Sequence, residues 1–149
     1  MVHKSTNYNE EELDGFKRAT AEHGIELVDF MSIRDSFTRL YRSAEYPPLR
    51  GTLLSKDERS HVLYTRGGVD FYGTYTGMYI PRPLGFLCED VAQTPKLLAQ
   101  EILALTKLNW NATQFDQSDP ITIKAARRVG DILKYLNQGE EQSRYSYYM

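Results

Sequence analysis

The sequence predicts an α/β fold: a mixed sheet with flanking helices and a hairpin-rich middle. Three observations predict it. Residues 2–33 read strand–helix–strand, the middle is a series of short apolar runs broken by Gly and Pro, and the last third carries two stripes at helical spacing. Val2-His3-Lys4 reads as the last residues of a strand, so the chain is expected to be a piece of something larger. Asn9 is a good N-cap, and Glu10, Glu11 and Glu12 suit a first helical turn. Leu13, Phe16 and Ala19 or Thr20 form an apolar stripe and Gly24 stops it, which gives a helix over 9–23. "IELVDFMSI", 25–33, follows as a buried strand.

From Phe37 to Phe86 the texture changes. "FTRLYR", "GTLLS", "HVLYT", "VDFYGTY" and "PLGFL" are short strands, separated by Pro47-Pro48, Gly67-Gly68, Gly73 and Gly77, with Pro81 and Pro83 stiffening the exit. They form hairpins or an antiparallel extension. Thr94 and Pro95 start a helix whose stripe is Leu97, Leu98, Ile102, Leu105 and Leu108. A second stripe, Ala125, Val129, Ile132, Leu133 and Leu136, follows Pro120.

Composition narrows the function. The 149 residues suffice for one domain with a real core, and 26% charged against 41% apolar residues describes a globular chain. A formal net charge of -2 argues against nucleic-acid binding by bulk attraction but leaves room for a local basic site. Cys88 is the only cysteine, which rules out an intrachain disulfide framework and fits a reducing, cytoplasmic setting. No apolar run approaches the roughly 20 residues of a membrane helix.

The charge order of the last helix is unusual. Lys124, Arg127 and Arg128 occupy its first two turns and no acid appears before Asp131. Each cation at that end costs about 0.3–1 kcal/mol if nothing compensates. A docked anion reverses the sign, because backbone N–H groups and cations then bind it together. Lys107, Asn109, Asn111, Thr113, Gln114 and Thr122 add a polar row that matches spaced phosphates. The alternative is a solvated face with unoptimised charges. Trp110, the only tryptophan, suits a core position between helices better than a base-stacking one. His3, His23 and His61 lack the spacing of a metal site. His3 ends a strand, where α/β sheets face their sites, or else is a satisfied strand-terminal residue. The aspartates show no clustering, and no P-loop, nucleophile elbow or dinucleotide motif is present. The tail "RYSYYM" is aromatic enough for burial, which would hold the Met149 carboxylate inside, where it needs a cation or metal partner.

"HVLYTRGGVDFYGTYTGMYIPRPLGF", "EILALTKLNWNATQFDQSDPITIKAARRVGDILKYL", the terminal "RYSYYM" and "VHKS…EEELDGF" resemble, in order and over nearly the whole chain, the C-terminal part of the PIWI domain of a prokaryotic Argonaute. The resemblance implies a ribonuclease-H-like fold. Residues 1–149 would be a single, incomplete domain with an aromatic tail at 139–149. It also implies guide-directed binding of a complementary strand, RNA or DNA, in prokaryotic defence. It assigns guide-phosphate contacts to Lys107, Asn109, Asn111, Thr122, Lys124 and, less directly, Arg127. It places Met149 at the guide 5′-end pocket, beside the 5′ phosphate and its Mg²⁺.

Two departures follow. Slicing members have four catalytic positions, mostly acids; the first two have no counterpart in this sequence. The third falls at His3-Lys4-Ser5-Thr6, which holds no acid, and the fourth at Ala125, which cannot ligate Mg²⁺ or move a proton. The resemblance is therefore to the catalytically inactive branch, which has no catalytic residues and binds without cutting. The alternatives are half of a split guided nuclease whose acids lie on a missing segment, or an architectural piece that docks on a separately encoded half. Second, a half-sheet exposes an edge and an apolar face. Expressed alone, the chain is expected to be poorly soluble or obligately paired; sedimentation as a monomer with a sharp melt would contradict this.

Overall fold

Helix and sheet here are set by local caps and by strand pairing respectively. The computed structural model describes residues 1–41, 48–69, 81–108, 117–137, 139, 142 and 144. It contains strand β1 (Val2–Lys4), helix α1 (Glu10–Glu22), strands β2 (Phe30–Asp35), β3 (Leu53–Ser55), β4 (Ser60–Leu63) and β5 (Leu84–Asp90), then helices α2 (Pro95–Leu105) and α3 (Ile121–Leu133). The Asn9 side chain accepts from the Glu12 amide and the Glu12 carboxylate accepts from the Asn9 amide, a reciprocal capping box that starts α1. At α2 the Thr94 hydroxyl accepts from the Leu97 amide, a one-way cap, with Pro95 in the first turn.

The five strands form one mixed sheet in the order β1-β2-β5-β4-β3. β1 and β2 are parallel, joined through α1, and every other pair is antiparallel. Alternation divides the side chains between two faces. Met31, Ile33, Leu63, Leu84, Phe86 and Cys88 point to one face, where they pack with Leu98, Ala99 and Ile102 of α2 and Ile123 of α3. α1 lies on the other face, over β1 and β2. There Lys4 bonds Glu12, and Tyr8, Phe16 and Phe30 form an aromatic cluster with centroids 5.9–6.3 Å apart.

The strand expected at 25–33 is shifted to Phe30–Asp35. β1 offers partners only to Phe30, Met31 and Ser32, so Ile25 and Leu27 have no ladder and stand exposed. β5 pairs antiparallel from Phe30 to Asp35 and carries the strand past Ile33. "FTRLYR" is not a strand over Phe37–Tyr41, and Arg42 lies outside the described residues. "GTLLS", "HVLYT" and "PLGFL" are recovered as β3, β4 and β5; "VDFYGTY" lies outside the described residues after Val69. α3 buries only Ile123, although its stripe continues through Val129, Ile132 and Leu133.

Candidate nucleic-acid interface

The site is built where the C-terminal end of β1 meets the first turn of α3. His3 shares the face of Met31, and its Nδ1 lies 2.8 Å from the Thr122 hydroxyl oxygen. Burial, reinforced by the positive chain terminus, lowers the His3 pKa to about 4, so the ring is neutral at pH 7. Its Nε2 is buried without a partner among the described residues. Ala125 lies one turn beyond Thr122, on the same side of α3. The His3–Thr122 contact thus brings the end of β1 to the turn of α3 that carries Ala125, and among the described residues no group of three or more His, Cys, Asp or Glu side chains gathers there.

His3 gives the pH dependence a definite sign. Above pH 6.5 the ring is neutral in both folded and unfolded chains. Between 6.5 and about 4 only the unfolded chain takes up the proton, so stability is lost as the pH falls through that window. The full shift corresponds to about 3 kcal/mol, and the partial exposure of the ring reduces the expected loss to about 1–2 kcal/mol. Denaturant melts between pH 7 and 4 are expected to show a shallower loss in His3→Gln than in the parent. His61, also lowered by burial, contributes equally to both chains and cancels in the difference.

The N-terminus of α3 is open. Its N-cap is Pro120, with no side-chain cap, and the amides of Ile121 and Thr122 meet no acceptor among the described residues. A polar bridge fixes this end against the end of α2. The Thr65 hydroxyl donates to the Ser118 carbonyl at 2.6 Å, and the Thr65 carbonyl accepts from Arg50 Nε at 2.9 Å. Arg50 Nη2 then reaches the Thr106 hydroxyl at 3.1 Å and the Leu103 carbonyl at 3.3 Å. Thr65 and Thr106 are fully buried. The backbone turn at Gly67 sets Arg50 in place: the Gly68 carbonyl accepts from the Arg50 amide at 2.8 Å, and a Cβ on Gly67 (φ +152°) would lie 2.2 Å from the Pro48 carbonyl oxygen.

Four of the expected contact residues, Lys107, Thr122, Lys124 and Arg127, fall among the described residues. Lys107 is exposed just beyond α2, adjacent to the anchored Thr106, and Lys124 is half-buried in the first turn of α3. Neither ammonium has a partner among the described residues. Thr122 is committed in part to His3. Arg127 is ion-paired with Asp119, just before the Pro120 cap. Asp119 answers part of the charge anomaly, because the compensating acid precedes the helix instead of lying in it. Asn109, Trp110, Asn111 and Met149, and with Met149 the expected Mg²⁺ contact, lie outside the described residues. Among the described residues no group of three or more His, Cys, Asp or Glu side chains could hold a metal ion.

No protein-family model and no curated protein matches the sequence. Solved structures do match its fold. The chain is similar to A. aeolicus Argonaute (TM-score 0.67, 21% identity) over 94% of its length and 19% of that chain. It is similar to Aa-Ago with externally bound siRNA (TM-score 0.67, 18% identity) over 94% of its length and 18% of that chain. It is similar to Drosophila Piwi (TM-score 0.58, 15% identity) over 94% of its length and 20% of that chain. At these identities the likeness is one of fold: the five-stranded sheet and its helices form a partial PIWI, ribonuclease-H-like fold. The chain spans about a fifth of the length of these structures. No helix among the described residues is long and apolar enough to cross a membrane.

Proposed function

We propose that this chain is the C-terminal part of an Argonaute-like PIWI domain that binds a guide strand near its 5′ end and does not cut the target. The supporting observation is the uncapped α3 N-terminus, held against the end of α2 by the Thr65–Arg50 bridge, with Lys124 in its first turn and Lys107 at the α2 end of the bridge, neither partnered among the described residues. Free amides, a helix dipole and two cations are the groups that bind phosphates, and they read no sequence. Base pairing between guide and target would carry the specificity. Ala125 beside Thr122 and His3, where the resemblance places acids, supports binding without cleavage. In this reading 1–149 is one incomplete domain with an aromatic tail at 139–149, and Asn109, Asn111, Thr122, Arg127 and Met149 complete the guide contacts. Its partners are guide and target nucleic acid and the polypeptide that completes the domain.

The test is equilibrium binding of labelled oligonucleotides, with and without a 5′ phosphate, to the full chain across a salt titration. Binding that weakens steeply with salt and favours the 5′ phosphate supports the reading. Absent or salt-independent binding overturns it, and cleavage of a complementary strand in Mg²⁺ overturns its second half.

A further inference from the structure

Over its other half, the face of the sheet that carries α1 is covered by no helix or strand among the described residues. Beyond α1, a groove of about 410 Å³ crosses β2, β5, β4 and β3, with Val62, Gly85 and Leu87 in its floor. Arg34 stands on one wall and Lys56 on the other, three strand spacings or about 14 Å apart. Both are exposed and neither side chain has a partner among the described residues. The one acid in the lining, Asp35, is held by Arg82 at 2.9 Å. Phe37 stands at the rim, 88% exposed.

That exposure is not the accident of a loose loop. The Ser36 amide donates to the Pro83 carbonyl at 2.9 Å, and the Ser36 hydroxyl accepts from the Thr38 amide at 3.2 Å. The Leu40 amide donates to the fully buried Tyr64 hydroxyl at 2.9 Å. Ser36 also lies over Gly85, 3.5 Å from where a Cβ would stand. The backbone on both sides of Phe37 is thus fastened to the sheet while its ring faces water, where leaving it exposed forgoes the gain of burial.

We infer that this groove is a second nucleic-acid contact, in which an extended single strand stacks a base on Phe37 and sets phosphates against Arg34 and Lys56. The inference rests on the proposed nucleic-acid function and adds a surface remote from α3. Charge complementarity selects an anionic occupant, since two cations without partners among the described residues face one neutralised acid. A sheet face with a presented aromatic and flanking cations suits stacked bases and a charged backbone together.

The test uses the full chain and a short oligothymidylate containing a photoreactive uracil. Phe37→Ala is expected to weaken binding about 5- to 100-fold. Arg34→Glu with Lys56→Glu is expected to make the salt slope shallower by about 1.4, from two lost single-strand contacts. Photocrosslinks should map to Phe37. These residues are on the surface, and unchanged melting of each variant shows that the fold is kept. Unaltered affinity in both variants, or binding of an acidic peptide in the groove in place of the oligonucleotide, overturns the inference. If binding depends only on Lys107 and Lys124, the groove fails and the proposed function stands; if the parent binds no oligonucleotide, both fail.

Discussion

Lys124→Glu is expected to weaken oligonucleotide binding by tenfold or more while making the protein slightly more stable. The two effects have opposite signs because the lysine sits at the positive end of α3. There a cation costs about 0.3–1 kcal/mol and an acid gains about as much. A residue kept for folding would lose stability when reversed; one kept for an anion loses binding instead. Adding Lys107→Glu removes a second cation, anchored at the far side of the Thr65–Arg50 bridge. The salt slope of the double variant is expected to be shallower by about 1.4–1.8, which is two phosphate contacts. Arg127→Glu is a poorer reporter, because it also breaks the ion pair with Asp119 and sets two acids together. Fluorescence anisotropy across a salt series, with a parallel thermal melt, reads both quantities. Unchanged affinity in the double variant would make the chain an architectural piece that holds another part of the assembly on the nucleic acid.

The elements legible in the sequence are those whose causes are local. Asn9 with Glu12, and Thr94 with Pro95, are complete signals within four residues, and both helices begin where those residues place them. The strand at 25–33 is misplaced because its limits are set by partners: β1 reaches only Phe30 to Ser32, and β5 extends the pairing to Asp35. The site divides in the same way. Cations at the wrong end of a helix are visible in one dimension, and Lys124 stands there beside an open N-terminus. Asp119 cannot be tied to the helix from sequence, because it lies on the far side of Pro120, outside the window of the helix it serves. The contacts of His3 with Thr122 and of Arg50 with Thr106 join residues 119 and 56 positions apart, and no periodicity encodes such pairs. The groove at Arg34, Lys56 and Phe37 exists only once β2, β5, β4 and β3 lie side by side.

Ile102→Ala is expected to cost about 2–5 kcal/mol, the range for emptying a buried aliphatic position that cannot collapse. Against a total stability of about 5–15 kcal/mol this takes much of the population towards unfolding. Ile102 is fully buried, packs with Leu98, Ala99 and Ile123 against the sheet, and accepts through its carbonyl from the Thr106 amide at 3.2 Å. It therefore stands beneath the turn in which Arg50 grips Leu103 and Thr106. Loosening that turn also loosens the bridge to Ser118, so binding should fall under conditions where the rest of the sheet still holds. Leu97→Ala on the same helix is the control: Leu97 is 43% exposed, leaves little cavity, and should cost under about 1 kcal/mol. Urea melts of the two variants decide the matter. A large midpoint shift for Ile102→Ala and a small one for Leu97→Ala means that α2 is clamped to the sheet and carries the basic corner with it. Equal small shifts would mean that α2 is not docked, and that the geometry joining Lys107 to α3 is not the one that binds.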